Sequence, residues 1–129
     1  GAAGVVNQLI IQYPHELEPV FLGLKLSLLT SKKTTYHSFR KRAVANGMSM
    51  RCLGLFDFTF ALFTGERPDA INHIADFEKE YPQFRYYAIV LRYLAKDILS
   101  GDEARVKPAK KALFETIEQF CSAELKKKR

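Results

Sequence analysis

Two cysteines and three histidines are all the thiol and imidazole chemistry the chain could draw on, and their placement rules most of it out. Cys52 and Cys121 stand far apart in apolar helical patterns, with no CxxC and no Cys/His spacing of the kind zinc requires. A lone distant pair is no disulfide framework. It reads as two buried reduced thiols, and a reducing, cytoplasmic compartment follows from that. His15, His37 and His73 fall on three separate helices or their edges, without an HExxH pattern. No serine sits in a GxSxG turn, and no glycine-rich loop follows a strand to cradle phosphate. Asp57, inside a Leu-Phe-Asp-Phe-Thr-Phe run, is the one acid set in apolar surroundings. It reads as a carboxylate at the edge of a groove, hydrogen-bonded or paired with Arg92 or another cation. The expectation is a protein that is not an enzyme, with no cofactor and no metal.

Long apolar runs are missing too. The best stretches, residues 20–29 and 53–63, are short and interrupted by Lys25 and Asp57, so no segment reads as a signal peptide or a membrane span. The chain opens on Gly1 without a Met, which suits a processed start, a protease scar or the beginning of an excised domain. Strand signals are scarce, because apolar and aromatic residues recur every three to four positions rather than every two.

What remains is helix. With 129 residues and 47% apolar content, the chain is large enough for one domain, residues 1–129, with a real core. The expected class is all-α, with six or seven helices in antiparallel hairpins. Tyr13-Pro14 stops a first short helix, and Pro14 or Pro19 opens a second that runs to about Thr30. Thr34 or Thr35 is the expected N-cap of a third, which Asn46-Gly47 closes. Ser49 precedes a long apolar helix ended by Gly65. Pro68 sits in the first turn of the next, which ends before Pro82. Residues 84–99 follow, and the firm part of the last helix is expected near Lys107, because Pro108 resists an earlier start. Gly23 and Gly54 stand inside helical patterns, where a close helix contact is the usual reason.

Residues 51–120 contain a weak internal repeat. An offset of 34 pairs Gly54 with Ala88, Leu55 with Ile89, Phe60 with Leu94 and Ala61 with Ala95. Gly65, Ala70 and Pro82 stand where a tetratricopeptide repeat has its turn glycine, its small close-packing residue and its terminating proline, and this stretch resembles that family. The second unit fits through Ala88, Ala95 and Gly101, with Ala109 and Leu113 in the places of Ala70 and Ile74 after a short insertion. Phe58 and Arg92 depart from the pattern, since the middle of each first helix normally carries a small residue. The resemblance implies a right-handed stack of hairpins, against the alternative of a compact bundle, and a protein that grips other proteins.

On that alignment the first helices of the two units line one groove, formed by Cys52, Leu55, Thr59, Leu62, Tyr86, Ile89, Tyr93 and Lys96. Such a surface suits a partner's peptide or amphipathic helix, with Tyr86 and Tyr93 as anchors. The alternative is that another helix of the same chain covers these residues. The expected function is a protein-binding adaptor, scaffold subunit or secretion-type chaperone, the last fitting poorly with a pI near 9.4. A second expectation rests on the net charge of +6, which is concentrated at the two ends of the chain. Lys32, Lys33, Arg40, Lys41 and Arg42 form a patch suited to nucleic acid, with phosphate contacts from the cations. The same patch and the Lys126-Lys127-Lys128-Arg129 tail would also suit an anionic membrane surface.

Overall fold

The computed structural model describes residues 2–127. Among them the regular structure is helical throughout: seven α-helices and one short 3-10 turn. They are α1 (Ala2–Gln12), α2 (Glu18–Thr30), α3 (Lys33–Ala45), α4 (Met50–Phe63), α5 (Arg67–Glu80), α6 (Arg85–Leu99) and α7 (Glu103–Lys127), with the 3-10 turn at Pro82–Phe84. No helix among the described residues is long and apolar enough to cross a membrane. The chain divides into two compact units, one running to Ser49 and joined by the chain from Leu125 onward, the other Met50–Glu124.

In the first unit α1 packs on α2 and α2 on α3. Pro19 occupies the first turn of α2, where its missing N–H costs nothing, and Glu18 sits at the helix's positive end. Val20, Leu24 and Leu28 are buried along one side, and the buried Ser27 hydroxyl donates to the Gly23 carbonyl at 2.9 Å. Helix α3 answers with Tyr36, Phe39 and Ala43. Its N-cap falls two or three residues earlier than expected. Lys32 is the N-cap and supplies no side-chain bond, which leaves Thr34 and Thr35 inside the first turn rather than capping it. At its other end Gly47 at φ 84° turns the chain, and Met48 N–H reaches back to the Ala43 carbonyl at 2.9 Å. The Asn46 amide donates to the carbonyls of Pro14 and Glu16, each at 3.0 Å, tying the α1–α2 connection to the end of α3.

The second unit is built around α4. Nine of its residues, from Cys52 to Leu62, are buried and point in every direction, as expected of a central helix. Helix α5 contributes Ala70, Ile74 and Phe77, α6 contributes Ala88, Leu91 and Ile98, and α7 contributes Ala109, Leu113, Ile117 and Phe120. Gly65 (φ 76°) and Gly101 (φ 75°) turn the chain after α4 and α6, so the two hairpins bend at matching points. Phe77, Phe84, Tyr87 and Phe120 form an aromatic cluster with ring centroids 5.0–6.3 Å apart, and the Arg51 guanidinium lies 5.4 Å from the Phe84 ring. Helix α7 begins at Glu103 and not near Lys107. The Asp102 carboxylate accepts from Ala104 N–H at 3.1 Å, and this cap holds the first turn while Pro108 is accommodated inside the helix.

The cysteines are not free thiols. Cys52 of α4 and Cys121 of α7 form a disulfide, their Cα atoms 5.4 Å apart. Helix α7 runs antiparallel to α4, which brings residues 69 apart in sequence into contact, and Phe63 meets Phe114 at 5.7 Å toward the other end of the pair. The expectation of a reducing compartment loses its premise with this bond.

Candidate functional site

Helix α6 has two unlike faces. One carries the buried Ala88, Leu91 and Ile98; the other leaves Tyr86 81%, Tyr93 71%, Val90 46% and Ile89 43% exposed. The four recur at i, i+3/i+4 and i+7, so they form one continuous stripe rather than scattered exposures. Arg92 and Lys96 lie along one flank of this stripe, and with them the surface turns into a cleft.

The cleft holds about 400 Å³ between α4, α5, α6 and the start of α7. Its floor is apolar: Phe58 and Leu62 from α4, Ala70, Ile71 and Ile74 from α5, Ala95 and Leu99 from α6. Its rim is cationic. Arg67 stands at the first residue of α5, Arg92 and Lys96 one turn apart on α6, and Arg105 in the first turn of α7. Arg92 is answered within the fold, since its Nε donates to Glu78 Oε1 at 2.6 Å and the two side chains form an ion pair. No carboxylate lines the cleft. A volume of this size is at the lower end of what ligand-binding clefts offer, and its apolar floor with few polar groups has their usual make-up.

The eight-residue groove expected from the repeat does not form as a single surface. Tyr86, Ile89, Tyr93 and Lys96 are exposed on α6, whereas Cys52, Leu55, Thr59 and Leu62 are buried on α4. Cys52 is bonded to α7, Leu55 is fully enclosed, and the Thr59 hydroxyl donates to the Leu55 carbonyl at 2.8 Å. Of the α4 set only Leu62 borders the cleft, as part of its floor. The physical reason lies in α7, which meets this side of α4 near both of its ends, at Cys52–Cys121 and at Phe63–Phe114, where the repeat alignment leaves it open.

Comparison with protein-family models, curated proteins and solved structures finds no match.

In the first unit Lys32, Lys33, Lys41 and Arg42 are exposed and Arg40 is half-buried. On α3 the buried face of Tyr36, Phe39 and Ala43 separates these cations: Lys33 and Arg40 flank one side of it and Arg42 the other. They spread around the solvent side instead of forming a stripe. Lys41 and Arg42, with Ser38 and Asn7, border a second hollow of about 440 Å³ between α1 and α3. Of the basic tail, Lys128 and Arg129 lie outside the described residues. No group of three or more His, Cys, Asp or Glu among the described residues is placed to hold a metal ion.

Sequence reasoning missed Arg67, Ile71, Leu99 and Arg105. A signal for two of them was present: Arg67 and Arg105 each occupy the first turn of the second helix of a hairpin, two and four residues after the turn glycine.

Proposed function

We propose that the chain is a non-enzymatic protein-binding module, of the adaptor, scaffold or chaperone kind, that holds a segment of another protein on α6 and in the adjoining cleft. The observation that carries this reading is the exposed Tyr86, Ile89, Val90 and Tyr93 stripe beside a cleft with an apolar floor, Arg92 and Lys96 standing between the two. Tyrosine suits such a surface because it offers a large contact area with few rotatable bonds and a polar tip. The two hairpins α4–α5 and α6–α7, bent at Gly65 and Gly101, support a tetratricopeptide-like arrangement. The Cys52–Cys121 bond favours an oxidising compartment over the cytoplasm.

The test is selection from a displayed library of helical peptides by the immobilised, disulfide-bonded chain. Enrichment is expected with the intact chain and lost with the Tyr86→Ala/Tyr93→Ala variant. Enrichment that is indifferent to both tyrosines, or none at all, refutes the reading.

A further inference from the structure

The cleft's charge narrows the partner, given the protein-binding reading above. Four of its twelve lining residues are cations and none is an acid, although residues 52–101 as a whole carry more acidic than basic residues. The rim's charge therefore runs against the bias of the surrounding sequence. Glu78 answers Arg92, which leaves Arg67, Lys96 and Arg105 as the cations placed around the floor. A partner that buries apolar side chains on that floor must bring its own flanking groups against these three side chains. Basic flanks would meet like charge in a partly desolvated setting and be disfavoured, while acidic flanks gain steering and register.

Length argues for a helix in preference to a small molecule. From Tyr86 to Leu99 the exposed stripe and the cleft wall follow α6 for about 20 Å at 1.5 Å per residue. A compact ligand would fill the cleft and leave the tyrosines uncovered. A helix of about four turns would span both, with its own i, i+3, i+4, i+7 side chains set against the stripe and the floor.

We propose that this surface takes an acidic amphipathic helix of a partner protein, its apolar face on Ile89, Tyr93 and the cleft floor and its carboxylates on Arg67, Lys96 and Arg105. The probes are two fluorescein-labelled designed peptides of about 18 residues, long enough to cover α6. They share one Leu/Phe face and differ only in having Glu or Lys beside it. Fluorescence anisotropy with the intact, disulfide-bonded chain should show the Glu peptide binding at least tenfold more tightly than the Lys peptide. Lys96→Glu/Arg105→Glu should abolish or invert that preference. Lys41→Glu/Arg42→Glu, which makes the same change in net charge on the first unit, should leave it standing. Two results overturn the inference and spare the protein-binding reading: equal affinity for both peptides with sensitivity to Tyr93→Ala, or a preference erased as readily by the Lys41/Arg42 reversal. Failure of both peptides to bind, while the displayed library still yields tyrosine-dependent binders, also overturns it.

Discussion

A Cβ built on Gly23 would lie 2.6 Å from Cε1 and 2.7 Å from Cγ of Phe39, so α2 and α3 approach through the space a methyl group would need. Phe39 is 4% exposed, so its ring would have to shift out of its packed position against α2 to admit the methyl group. Gly23→Ala should therefore destabilise the protein by about 1–3 kcal/mol despite alanine's better helix propensity. Gly54→Ala, whose added Cβ meets only Phe77 Cδ2 at 3.9 Å, should be neutral or stabilise by up to about 1 kcal/mol. Urea unfolding midpoints of the two variants check the contrast.

The Cys52–Cys121 bond closes a long loop and so removes much of the freedom of the unfolded chain. Reduction, or a Cys52→Ala/Cys121→Ala pair, should lower stability by about 2–5 kcal/mol. Denaturant curves with and without reductant measure this. A thiol assay on the unfolded, unreduced chain should find no reactive cysteine among the two.

The two halves of the expected groove should respond to truncation in opposite ways. Leu55 is fully buried, and Leu55→Ala should cost about 2–5 kcal/mol through the cavity it leaves. Tyr86→Ala and Tyr93→Ala remove side chains that stand in solvent and should stay within about 0.5 kcal/mol of the parent. Equal destabilisation in thermal melts would contradict this assignment of faces.

Helical periodicity made six or seven helices legible, and Gly65, Pro82 and Asn46-Gly47 marked ends among them because glycine and proline act on local backbone geometry. Which apolar face stays open is a different kind of information. Leu55 and Tyr93 carry equally good helical spacing, yet only the packing of the helices in three dimensions decides that Leu55 is covered and Tyr93 is not. The same holds for the glycines, since Gly23 and Gly54 look alike in sequence and only Gly23 has an aromatic ring against it. The cysteine pair was invisible for a related reason: a separation of 69 residues says nothing about proximity until the antiparallel α4–α7 pairing is known.

The Glu78–Arg92 pair joins α5 to α6 with side chains 36% and 49% exposed. Exposed pairs contribute little, so Glu78→Gln should change stability by less than about 1 kcal/mol. It also returns Arg92 to the rim as a fourth unanswered charge. The Glu-flanked peptide should bind this variant more tightly than the parent, in a titration at fixed ionic strength.

Every residue that lines the cleft, from Phe58 to Arg105, falls between Cys52 and Cys121 in the chain. The cleft therefore belongs to a covalent ring whose clasp is the disulfide. A protease that cuts once within the ring, in the turn at Gly65 or at Gly101, opens a loop but releases no fragment. The cleaved protein would keep all four walls tethered and would separate into two pieces only under reducing conditions. Integrity of the cleft after such a cut thus depends on a bond that lies outside its lining.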